Sequence, residues 1–89
     1  MADDAQNKQS MKEAIDTLNQ ITSSNSTPKT IKKSVTDLIV DLSNPEYSLS
    51  VRAANTISLL DDVTQDPNMP SYVRTQLWQA VSKLESIRE

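Results

Sequence analysis

The chain has no glycine, no histidine, no cysteine and no phenylalanine. Each absence removes a class of chemistry. Phosphate-cradling loops of the Walker or dinucleotide type need glycine for positive φ and close backbone approach, so both are excluded. Lack of histidine takes away the commonest general base and metal ligand. It also excludes the carboxylate-bridged di-metal centre of helical bundles, which uses Glu-x-x-His motifs on facing helices. Lack of cysteine rules out disulfides, thiolate chemistry and structural zinc, and agrees with a reducing compartment. The only aromatic residues are one tryptophan and two tyrosines, so the core must be aliphatic and no aromatic platform awaits a sugar. We expect no enzyme activity and no cofactor. No apolar run approaches the ~18 residues of a membrane span. The first ten residues, MADDAQNKQS, are acidic and polar, the reverse of a signal peptide. A cytoplasmic location and no membrane contact are expected.

What is present fits a small soluble domain. The 89 residues are 36% hydrophobic and 24% charged, enough for one domain that buries somewhat over ~60% of its unfolded surface. A net charge of −3 disfavours nucleic acid and anionic membranes as partners.

Pro and Ser/Asn/Thr clusters do the punctuating that glycine usually does. TSSNSTP (22–28), SNPEYS (43–48) and TQDPNMP (64–70) divide the chain into four segments with apolar residues at helical spacing. The first runs over 4–22, with Asp3 and Asp4 suited to its positive end and a stripe of Met11, Ala14, Ile15, Leu18 and Ile21. The second runs over 28–42, with Thr27 as N-cap, Pro28 as first helical residue, and Ile31, Val35, Leu38, Ile39 and Leu42 on one face. The third starts between Pro45 and Ser48, ends near Val63, and carries Leu49, Ala53, Ala54, Ile57 and Leu60. The fourth runs over 69–88 with Val73, Leu77, Ala80, Val81, Leu84 and Ile87.

A shift of 42 residues lays Pro28 on Pro70, Ile31 on Val73, Lys32 on Arg74 and Val35 on Leu77, and also Ile15 on Ile57 and Leu18 on Leu60. That pattern fits a helical hairpin used twice, about 4–42 and 46–88. It also fits two amphipathic hairpins in phase, since 42 is twelve times 3.5. Short connections between four such helices predict an all-α, up-and-down antiparallel four-helix bundle in a single domain. The alternative is a stack of two HEAT-like hairpins, which generally needs more units to bury its faces.

Candidate site residues are few. Asp61 and Asp62 end the third helix, and centring its stripe on Ile57 places Asp61 near the buried face. There a carboxylate could act as acid or base, or pair with Arg52 or Arg74. Lys29, Lys32 and Lys33 form a basic arc that could meet phosphate, but no aromatic residue is interleaved; pairing of Lys33 with Asp37 is the simpler expectation. Arg52 and Arg74 are expected to be structural, forking onto a carboxylate or onto loop carbonyls, as are Pro28 and Pro70. Val40 and Leu59 point away from their stripes and Trp78 stands on a shoulder. These three are the expected interface, with Trp78 its anchor. Tyr47 and Tyr72 are expected to cover the bundle ends. The leading expectation is thus a non-enzymatic module that contacts a protein partner or a second copy of itself. The alternatives are a ligand binder or enzyme using Asp61/Asp62 and a nucleic-acid accessory protein using Lys29/Lys32/Lys33.

The stretches NPEYSLSVRAANTISLL (44–60) and DPNMPSYVR (66–74) resemble a small archaeal family, uncharacterised protein family 0147. The resemblance is carried by Asn44, Pro45, Val51, Arg52, Ala53, Ala54 and Asn55, then Asp66, Pro67, Pro70 and Arg74, and extends over roughly residues 10 to 88. It implies a compact helical bundle of archaeal, cytoplasmic origin, and it transfers no catalytic residue. Many members are richer in charge than this Ser/Thr/Asn/Gln-heavy chain.

Overall fold

In the computed structural model, which describes residues 4–87, the four stripes become four helices: α1 Asp4–Ser23, α2 Lys29–Leu42, α3 Leu49–Val63 and α4 Ser71–Glu85. Asp3, Arg88, Glu89 and the side chain of Asp4 lie outside the described residues, and with them the acidic contact expected at the start of α1.

The helix starts differ from expectation by a residue or two. Pro28 and Pro70 are N-caps, not first helical residues. Each is extended, and its carbonyl accepts from two amides of the first turn: Ile31 and Lys32 on Pro28, Val73 and Arg74 on Pro70. Thr27 is therefore not the cap. A residue before proline is held extended, and here Thr27 turns inward, buried, with its hydroxyl unpartnered. Likewise Met69 stays in the turn before α4, and Ile87 lies beyond the helix end while remaining buried. Ser48 caps α3, its hydroxyl accepting from the Val51 amide at 3.4 Å.

The helices close in a ring. α1 packs on α4 and α2, α2 on α3, and α3 on α4, whereas α2 and α4 do not approach each other. Stacked hairpins would instead set α2 against α4. The arrangement is the up-and-down four-helix bundle, 38 × 22 × 21 Å in extent. Leu18, Ile21, Val35, Leu42, Leu60, Val73, Leu77 and Leu84 form its fully buried centre, each stabilising by about 1.5–3 kcal/mol. Ile15, Ile39, Leu49, Ile57, Val63 and Val81 flank it, partly buried.

The 42-residue offset carries burial as well as residue type. Met11 and Ala53, Leu18 and Leu60, Ile31 and Val73, Val35 and Leu77, Leu38 and Ala80, and Leu42 and Leu84 are all buried. So are Ala14 and its counterpart Thr56. Thr56 corrects the sequence reading of α3: the inward line is Ala53, Thr56 and Leu60, while Ala54 is exposed. A threonine counts as polar in a hydropathy pattern, so the stripe was centred on Ile57, one residue or about 100° away. The Thr56 hydroxyl has no partner, which leaves a buried donor uncompensated at a cost of about 1–3 kcal/mol.

Candidate functional site

Turns without glycine are built from side-chain oxygens. No described residue has positive φ. Instead each of the three joints opens with an oxygen that accepts from the amide two residues on: Ser24 Oγ from Ser26 at 3.3 Å, Asn44 Oδ1 from Glu46 at 3.0 Å and Asp66 Oδ1 from Asn68 at 2.9 Å. Such local bonds are what Ser, Asn and Asp bring to turns. The next helix begins five residues after each of them, and eight residues after each stands a half-buried base, Lys32, Arg52 or Arg74.

The two arginines tie their joints shut from the following helix. Arg52 Nη1 donates to the carbonyl of Leu42, the last residue of α2, at 3.0 Å. Arg74 Nε donates to the carbonyl of Thr64, the C-cap of α3, at 3.1 Å, and its Nη2 to that of Asp66 at 3.2 Å. Helix C-terminal carbonyls lack intrahelical donors and carry partial negative charge, so a guanidinium suits them. Of the two expectations for these arginines, loop carbonyls hold and pairing with Asp61 does not.

Asp61 and Asp62 are both exposed. The corrected face of α3 explains this, since Asp61 is one turn beyond Ile57 on the flank and not beyond Thr56 in the core. Lys29 and Lys33 are exposed and Lys32 is half-buried, so the three do not form one open arc. Among the described residues Lys33 and Asp37 form no ion pair; the one seen joins Lys83 of α4 to Glu13 of α1 at 2.9 Å. The hydrogen bond from Lys83, then one from Gln9, then the charge of Lys83, hold the Glu13 carboxyl below its ordinary range. Among the described residues no three acidic side chains gather where a metal ion could sit, and no helix is long and apolar enough to cross a membrane.

Val40, Leu59 and Trp78 are exposed by 64%, 42% and 57%. Val40 and Trp78 stand on helices that do not approach each other. Val40 sits about 200° around α2 from the buried Leu38. Leu59 lines a half-open groove of about 430 Å³ between the end of α2 and the flank of α3, together with Asp41, Asn44, Tyr47, Arg52, Asn55 and Ser58. Trp78 stands one turn beyond Arg74, on the side of α4 from which Arg74 reaches the end of α3. Tyr47 and Tyr72 are exposed at the helix starts.

The structure also brings out a feature that hydropathy spacing passed over. On α4 the exposed residues from Ser71 to Ser82 are Ser71, Tyr72, Thr75, Trp78, Gln79 and Ser82, none charged. On α3 those from Val51 to Leu59 are Val51, Ala54, Asn55, Ser58 and Leu59, again none charged. The outer faces of α1 and α2 instead carry Lys8, Lys12, Asp16, Lys29, Lys33, Asp37 and Asp41. The signal was in the sequence, because Arg52 and Arg74 are the only charges between Leu49 and Leu60 and between Ser71 and Ser82.

The sequence matches the model of the uncharacterised protein family UPF0147 over residues 1–87. The chain belongs to that family. A UPF0147 protein of Metallosphaera sedula is 42% identical over 83 residues, 93% of each chain. One from Aeropyrum pernix is 40% identical over 85 residues, 96% of this chain and 93% of its own. The bundle is similar to a crystal structure of an unknown-function protein, MMP1188, with a TM-score of 0.85 at 38% identity, covering 90% of this chain and 91% of that one. The UPF0147 resemblance read from residues 44–60 and 66–74 is thus shown, and these stretches overlap the two joints that the arginines close.

Proposed function

We propose that this UPF0147 chain is a non-enzymatic cytoplasmic module that works by protein–protein contact through the outer faces of α3 and α4. The carrying observation is the absence of exposed charge from Val51 to Leu59 on α3 and from Ser71 to Ser82 on α4, with Trp78 and Tyr72 standing on the second. Interface centres are depleted in charge and enriched in Trp and Tyr, whose large, stiff side chains bury area at low entropic cost. Exposed charge on α1, on α2 and at the C-terminal ends of α3 and α4 supports solubility without a desolvation cost at the contact. A partner with a matching uncharged face fits this surface.

The test is affinity capture from the host cytoplasm with the wild type beside Trp78→Ala and Gln79→Lys. Both positions are exposed, so both variants should melt as the wild type does. A partner lost from both supports the reading; the same partner retained by both removes it. Light scattering on the purified chain shows whether that partner is a second copy.

A further inference from the structure

We propose that the groove between α2 and α3 binds a peptide carboxylate, held by Arg52, with the adjoining peptide amide on Asn55. The groove shares Asn55, Ser58 and Leu59 with the α3 face, but the proposal rests on Arg52 and Asp41 and not on a partner at that face. Arg52 lines the groove with one N–H spent on Leu42 and its Nε buried without an acceptor, which leaves three N–H groups on its two terminal nitrogens for a ligand. Arg74, at the matching place in the next joint, spends two on carbonyls. A guanidinium's planar fork matches a carboxylate bidentately. Asp41 lines the same groove, yet among the described residues it does not pair with Arg52. Two opposite charges in one groove that leave each other free call for a ligand carrying both signs. Asp41 therefore selects a basic side chain beside the carboxylate. The exposed Asn55 amide offers a donor and an acceptor to a peptide unit, and Leu59 with Tyr47 offers an apolar wall. The volume of about 430 Å³ suits a ligand of dipeptide size. Asn44, Tyr47, Arg52 and Asn55 all come from the stretch 44–60 that stood out in the sequence.

The same chemistry could come from the end of a protein chain or from a free dipeptide. The experiment is an amide and arginine Nε–H NMR titration with N-acetyl-Leu-Lys acid, its C-terminal amide, and free Leu-Lys. The acid should shift the Arg52 Nε–H and Asn55–Leu59 signals saturably, and the amide should bind at least about tenfold more weakly. Equal binding of acetylated and free acids assigns a chain terminus; tighter binding of the free form assigns the dipeptide. Asn55→Ala and Asp41→Asn, at exposed positions, should weaken the acid about fivefold or more with melting unchanged. Equal affinity for acid and amide, no shift at millimolar ligand, or full affinity in both variants would overturn the proposal.

Discussion

The joint between α2 and α3 and the joint between α3 and α4 share one plan and are finished differently. Both open on a side-chain acceptor, Asn44 or Asp66, and both are tied by an arginine reaching ten residues back. Around Arg74, the residue before the cap and the third residue of the helix, Met69 and Val73, are buried, and two carbonyls are satisfied. Around Arg52 the corresponding Tyr47 and Val51 are 50% and 43% exposed, and one carbonyl is satisfied. The joint between α1 and α2 follows the buried pattern, with Thr27 and Ile31 inside, but has Lys32 where the others have arginine. A turn plan therefore does not decide how tightly a joint shuts. What decides it is whether the residues flanking the cap enter the core. The α2–α3 joint leaves apolar surface in water and a donor unpaired. Local sequence choices that forgo stability in this way concentrate at functional places, which agrees with the groove lying there.

Removing the arginines should separate the two joints. Arg74→Ala is expected to cost about 3 kcal/mol, because two charge-assisted hydrogen bonds go and two carbonyls lose their donor. In a domain of this size that lowers Tm by roughly 12–24 °C. Arg52→Ala should cost about 1.5 kcal/mol, since one bond is lost and an unpaired buried Nε is removed with it. Equal losses in chemical denaturation would erase the distinction between the joints. In α3, the helix both joints share, Thr56→Val keeps the shape, removes the orphan hydroxyl, and should raise stability by about 1 kcal/mol; a loss of that size would mean the hydroxyl is satisfied. Lys32→Arg asks whether the base alone distinguishes the first joint. A guanidinium reaching the last carbonyls of α1 should add about 0.5 kcal/mol, and an unchanged denaturation midpoint would show that the backbone there is out of reach.

The smallest effect lies at the α1–α4 seam, away from the joints. The Glu13 carboxyl is held below its ordinary range by Lys83, so its contribution is present above the unfolded pKa and is lost as pH falls through the lowered folded value. Glu13→Gln should therefore flatten the stability profile in that acidic window and leave it unchanged when compared in high salt, which screens so exposed a pair. A profile identical to wild type at low salt would show the pair to be inert.

The four helices, their order and most of the core were legible because a period of 3.6 runs through each apolar stripe. That Arg52 and Arg74 reach back toward the preceding joint was legible from their place in the first turn, although the choice between carboxylate and carbonyl was not, since it depends on which groups end the preceding helix nearby. The face of α3 was misjudged because Thr56 reads as polar, and that error carried Asp61 inward. The 42-residue offset contained the remedy: it sets Thr56 against Ala14, Ala54 against Lys12 and Asp61 against Asn19, and so forecasts one buried and two exposed positions. Val40, Leu59 and Trp78 were correctly placed off their stripes, but a single helix pattern cannot say whether residues on three helices share a patch.

By itself the sequence determined an all-helical chain with an aliphatic core, turns made by side-chain oxygens, and no thiol, imidazole or glycine-loop chemistry. These follow from composition and from near-neighbour spacing, which the backbone translates directly. Only the tertiary structure decided that α1 meets α4, that Asp61 faces water, and that the α2–α3 joint stays open beside an underused guanidinium. Each of those depends on how helices rotate and meet, and rotation is settled by packing across the whole bundle and not by any one segment.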